Sequence, residues 1–275
     1  MKPIVPLRHR EDWRTLVFLA ALFALFAVQW SGVCRHWLLV PPTCVLAFVA
    51  CVIKHNHLHC RTFASRVWNR AFEHLLGAAT GQAATSIVAV HNERHHARNN
   101  SEDDCVRCAQ FGFSWRWLNL AVFPFVAVWR VHRDRPGDLR RWRSERPALY
   151  RRSVRERVVV IVFVTTLAVA DWRATLLYLG GPWLFARWAV VTINLLQHEG
   201  CDPASAHGHS RNITGRFINW IFLNNGFHTA HHERPALHWS RLPEYHRRSV
   251  APWVGADLNE RSLVAATWRQ FFARR

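Results

Sequence analysis

Acidic residues are in short supply in this chain. Asp and Glu number 18 against 36 Lys and Arg, so the formal net charge is +18. A balance this basic has two ordinary explanations, a nucleic-acid partner or arginine-rich loops beside membrane spans. Paired cysteines are also missing, because the seven cysteines are odd in number and scattered. That excludes the disulfide framework of a small secreted domain. Cys105 and Cys108 form a CxxC, without the second pair that a structural zinc site asks for. Strand-like alternation is weak and no internal repeat is present, which argues against β and solenoid architectures. The first apolar run is too long for a signal-peptide core and lacks a small-residue cleavage site, so it is read as a retained span. No change of composition marks a soluble domain, and residues 1–275 are expected to form a single membrane domain.

What is present is segregation. Mean hydropathy is close to neutral, but the average hides long apolar runs alternating with arginine-rich stretches. Spans are expected at roughly 16–33, 37–53, 158–170 and 174–197, each near the length that crosses a bilayer or somewhat short of it. Trp30 sits where interfacial aromatics are favoured. Pro41 and Pro42 should kink the second run or mark its beginning. Arg187 lies inside the last run and is costly in lipid unless it faces protein or snorkels. The 67–90 stretch carries Phe72, Leu75, Leu76 and Ala79 at helical spacing together with Glu73, His74 and Gln82. It reads as an interfacial or partly buried helix. Leu118 to Trp129 reads as a second interfacial segment, and Arg130 to Arg157 as cytoplasmic loop or surface helix. The fold class is therefore an all-α integral membrane protein. About four transmembrane helices form two hairpins, with interfacial helices and a histidine-rich cap on the cytoplasmic side.

The histidines are clustered. The first cluster is His55-Asn-His57-Leu-His59, the second His91-Asn-Glu-Arg-His95-His96, and the third His228-Thr-Ala-His231-His232. His198 ends the last apolar run, four residues after Asn194. On a helix, residues four apart share a face, so His55 pairs with His59 and His91 with His95. One ion needs only three or four imidazoles. Nine histidines (His55, His59, His91, His95, His96, His198, His228, His231 and His232) suit two. Imidazole suits iron, and two redox-active irons can share the electrons that O2 needs to attack an unactivated C–H bond. Zinc has no such redox chemistry. His9, His36, His74, His132 and His246 have no partner at ligand spacing and read as ordinary core or surface residues.

HxxxH, then HxxxHH about 30 residues on, then a distant HxxHH, resembles the membrane fatty-acid desaturase/hydroxylase family. The segment Gly226-Phe-His-Thr-Ala-His-His-Glu-Arg-Pro looks like that family's third box and its proline. The resemblance implies that the eight box histidines and His198 hold two iron ions at the cytoplasmic membrane face. It also implies that Asn194 reaches one iron through water. His57 lies out of register and is set aside. His207, His209 and His238 flank the later boxes, and Glu93, Asp103, Asp104, Glu199, Asp202 and Glu233 lie near enough to orient imidazoles. No cytochrome b5 HPGG signature is present, so electrons would come from a separate carrier such as ferredoxin or cytochrome b5.

The expected function is O2-dependent desaturation of a fatty acyl or similar aliphatic chain. Hydroxylation or ketolation of a lipid-like substrate is the alternative within enzymes. A membrane metal-binding or transport protein would instead place its histidines along the spans. A nucleic-acid binder would have no use for four apolar runs. The expected location is a multi-pass membrane protein with its histidine boxes facing the cytoplasm.

Overall fold

The apolar runs become helices because they are long and rich in Leu, Ala, Val and Phe. The structure, a computed structural model, describes residues 6–108 and 116–273. Among these, the helices in chain order are α1 (Trp13–Trp30), α2 (Val40–His59), α3 (Arg66–Thr80), α4 (Arg116–Glu145), α5 (Pro147–Thr175) and α6 (Gly181–His198). They continue with α7 (Arg216–Ile221), α8 (His228–Glu233), α9 (Leu242–Tyr245) and α10 (Leu263–Phe271). Wider, π-helical turns occur at Val88–His95, Leu176–Gly180 and His246–Val250. The only sheet among the described residues is a two-residue parallel pair, β1 (Asn212–Ile213) with β2 (Asn259–Glu260).

Among the described residues, three helical segments are long and apolar enough to cross a membrane: Arg10–Trp30, Trp37–His59 and Pro147–His198. The runs expected at 158–170 and 174–197 thus belong to one longer helical stretch. Asp171 still interrupts it, with extended backbone (φ −153, ψ 94), and its carboxylate accepts the Ala174 N–H at 2.9 Å. Pro41 and Pro42 stand in the first turn of α2, where the missing N–H costs nothing. Lys54 does not end α2. It is buried and donates to Thr80 Oγ1 at 3.2 Å and Gln82 Oε1 at 3.4 Å, so the helix runs on through the first histidine cluster to His59. Arg130 to Arg157 is helical rather than loop, divided between α4 and α5.

The chain forms two units, Met1–Ile87 with Gly137–Ala189, and Val88–Pro136 with Val190–Arg275. In the first, Leu19, Leu22 and Phe26 of α1 and Ala47, Val49, Ala50 and Ile53 of α2 are buried. Gln29 Nε2 donates to Thr43 Oγ1 at 2.8 Å, and Trp30 Nε1 to Thr175 Oγ1 at 2.9 Å. α3 is amphipathic: Phe72, Leu76 and Ala79 face in, while Val67, Trp68 and Leu75 are exposed. Gly81 ends it with φ +62, the left-handed conformation that favours glycine. Trp183 Nε1 bonds the Ala79 carbonyl at 2.9 Å, and Arg187 the Gly81 carbonyl at 3.1 Å, so Arg187 faces protein.

The same unit buries a charged network. Glu73 pairs with Arg61, with Arg152 at 2.6 Å, and with His57 Nε2 at 3.5 Å. Arg152 pairs with Glu156 at 2.9 Å, and Glu156 accepts the Thr85 backbone N–H at 2.7 Å. Burial pushes the Glu73 carboxyl up, but His57, Arg152 and Arg61 more than reverse this and hold it below its ordinary value. The second unit has an apolar core of Phe123, Ala127, Leu195, Leu196, Ile213, Ala266 and Phe271 with Cys105, Val106 and Cys108.

Candidate metal centre

Three short elements of the second unit carry its clustered histidines: the π-helical turn Val88–His95 with His96 directly after it, the end of α6, and α8. A π-helix repeats its hydrogen bonds five residues apart rather than four, and here the His96 N–H bonds the His91 carbonyl at 2.9 Å. This corrects the α-helical pairing expected in the second cluster. His91 pairs with His96, their Nε2 atoms 3.0 Å apart, and His95 is turned to a different group. α8 keeps ordinary α spacing, so His228 and His232 pair four apart, Nε2 to Nε2 at 3.1 Å. His231 leaves that pair and meets His96, Nε2 to Nε2 at 2.9 Å.

Two sets result within this unit. The first is His95, His198, His228 and His232, whose possible ligand atoms all lie within 4.8 Å of one another. His198 Nε2 and His228 Nε2 are 2.8 Å apart. The second is His91, His96 and His231. In the other unit, His55 and His59 lie in the last turns of α2, with ring centroids 4.9 Å apart. His57, between them, points elsewhere: its Nδ1 is 3.0 Å from Thr62 Oγ1, and its Nε2 is 3.1 Å from Arg61.

The donors fit a metal. A metal–nitrogen bond of about 2.1 Å with ligands at right angles puts the two nitrogens about 3 Å apart, the spacing of these Nε2 pairs. His95 Nε2 is buried and has no hydrogen-bond partner among the described residues. Its other nitrogen is held by Asp104 at 2.9 Å, both side chains being buried. Asp104 also accepts the backbone N–H groups of Asn100 at 3.1 Å and Val106 at 3.0 Å. A carboxylate on Nδ1 fixes the tautomer that leaves the Nε2 lone pair free, and makes it more basic. His198 Nδ1 lies 3.2 Å from the His209 carbonyl, its natural acceptor, with the same result. Loss of solvent around the His232 ring, followed by the neighbouring His228, holds it well below its ordinary pKa. It is neutral at pH 7, the form that ligates.

Sequence reasoning named Asp104 among several nearby carboxylates without giving it a partner. The role of the His209 carbonyl had no sequence signal, being a backbone group. The Asn194 amide donates to the Val106 carbonyl at 3.1 Å, tying α6 to the loop that carries Asp104. Glu233 takes His207 at 2.7 Å and the Tyr245 hydroxyl at 3.0 Å. Asn119 donates to Glu199 at 3.1 Å. The Cys105 thiol is pushed up to about 11, and Cys108 well above its ordinary value, both by burial. Both side chains pack in the apolar core of this unit, and among the described residues neither falls in a group of side chains that could hold a metal.

A family model described as "Fatty acid desaturase" matches residues 35–261, well over half of the chain. No curated protein matches it significantly.

Proposed function

The chain belongs to the fatty acid desaturase family, and from that premise we propose that it is a membrane oxidoreductase that uses O2 and two iron ions to desaturate an aliphatic chain. The observation that carries this reading is the pair of histidine sets in one unit, joined Nε2 to Nε2 at 2.8–3.1 Å. His95, His198, His228 and His232 would hold one iron. His91, His96 and His231 would hold the other, together with His55 and His59 by the family's pattern and Asn194 through water. When bound, the irons supply the redox chemistry by which O2 removes two hydrogens from adjacent carbons.

The protein's own part is to prepare ligands and exclude competing reactions. Asp104 and the His209 carbonyl hold His95 and His198 with Nε2 unprotonated. Burial keeps His232 neutral and limits water at the reactive position. Substrate placement decides which carbon reacts, since a misplacement of about 1 Å can cost about a hundredfold in rate. Arg140, Arg143, Arg146, Arg151 and Arg155 are exposed on α4 and α5, and this basic surface would dock an acidic electron carrier. The apolar segments would seat the chain in the membrane as four spans in two hairpins, broken at Asp171, with the boxes on the cytoplasmic side.

The test begins with purification in detergent with ferrous iron. Two irons per chain are expected, and one or none at full folding would overturn the di-iron assignment. Turnover with a reduced carrier, lipid substrate and ¹⁸O2 then separates the chemistries. An alkene free of label supports desaturation. A labelled alcohol or ketone makes the protein a hydroxylase or ketolase instead.

A further inference from the structure

β1 and β2 run parallel in register, Asn212 beside Asn259 and Ile213 beside Glu260. Each strand leads directly into a helix, β1 into α7 and β2 into α10. The two helix starts are lashed together: the Thr214 N–H bonds the Glu260 carbonyl at 2.6 Å. A side chain at Gly215 would meet the Arg261 carbonyl oxygen at 2.2 Å. α7 and α10 therefore start from one point. Their inner faces share one core, with Ile218, Leu263, Ala266 and Phe271 packed on the same cluster.

Their outer faces carry Phe217 and Trp220 on α7, and Val264 and Trp268 on α10 with Phe272 directly after it, at 73, 55, 78, 62 and 47 % exposure. The α10 residues recur every four positions, one stripe of a helix. Arg216, Arg261 and Arg269 flank these side chains and are exposed. Arg269 is paired with Glu260, and Asp257 is the nearby exposed acid. The pair is anchored beside the end of an apolar segment. Gln270 Nε2 donates to the Glu199 carbonyl at 3.2 Å, the residue directly after α6. The Arg211 N–H, just before β1, bonds the Gln197 carbonyl at 2.7 Å.

We propose that α7 and α10 form a two-helix foot that lies in the headgroup layer of an anionic phospholipid leaflet, with the Phe217, Trp220, Val264, Trp268 and Phe272 side chains in the acyl boundary. The chemistry matches: large aromatic and aliphatic groups on one face, arginines at the rim. The inference rests on the membrane seating of Pro147–His198.

The experiment is photo-crosslinking of the full chain in lipid nanodiscs. Benzoyl-phenylalanine is placed at Trp220 or Trp268, at Val169 in the apolar segment as a membrane control, and at Glu102 as a solvent control. Phospholipid adducts are read by mass. Adducts at Trp220 and Trp268 are expected at roughly ten times the Glu102 yield. That yield should fall when phosphatidylglycerol is replaced by phosphatidylcholine, or when Arg216 and Arg261 are both changed to Gln. Adducts at Val169 without adducts at Trp220 and Trp268 would overturn the foot while leaving the membrane seating intact. No adduct at Val169 would overturn both.

Discussion

Asp104 shows how much one side chain can decide. Its carboxylate spends one oxygen on His95 and both on holding its own loop. Asp104→Asn should therefore weaken iron binding about ten- to a hundredfold, measured by chelator competition. Asp103→Asn should change little, because Asp103 pairs with Arg98 in solvent. His246 makes a second residue-scale prediction. Burial lowers its pKa, and Glu233 only partly offsets this. The unfolded chain then binds a proton that the folded chain refuses, so stability is full above about pH 6.5 and falls as pH drops below it. His246→Phe should make that acid limb shallower in iron-free protein, where the buried His232 still contributes to it, followed by thermal melts from pH 7.5 to 5. The clustered histidines were legible in the sequence because ligand spacing is local. The His209 carbonyl and the His95–Asp104 bond were not, since each depends on how a loop returns to a helix.

Among the elements, the end of α2 is fixed by charge rather than by apolar packing alone. Glu73 stands between Arg61, Arg152 and His57, and removing it takes the counter-charge from Arg61 and leaves Arg152 with Glu156 alone. Glu73→Ala should cost about 1–3 kcal/mol, read from denaturant midpoints in detergent. Glu73→Gln should recover part of that loss. Turns make a sharper case. A Cβ at Gly226 would meet the Ile213 carbonyl at 2.1 Å, so Gly226→Ala should shift the start of α8 and lower iron content while α1 and α2 stay helical by hydrogen exchange. Helix positions followed from apolar run length. Their ends did not, because Lys54 bonds Thr80 and Gln82 instead of turning to water, and such a partner is invisible 26 residues away.

For the whole molecule, a net charge of +18 beside three apolar segments predicts behaviour in bulk. Washing membranes with 1 M salt should leave the chain in the pellet, and detergent should release it. Release by salt alone would return the question to nucleic acid. Iron should raise the unfolding midpoint by mass action, about 4 kcal/mol at a thousandfold excess over Kd, and a chelator should reverse it. The π-helical turn at Val88–His95 also has a meaning as arithmetic. It adds one residue to a turn, and that single unit of length brings His96 rather than His95 against His91, so that two consecutive histidines fall in different sets. Deleting Glu93 would set His91 and His96 four apart, the spacing at which an ordinary α-helix holds two side chains on one face. The pairing of His91 with His96 would then be kept by an α-helical turn in place of the π-helical one, with one residue fewer and no histidine removed.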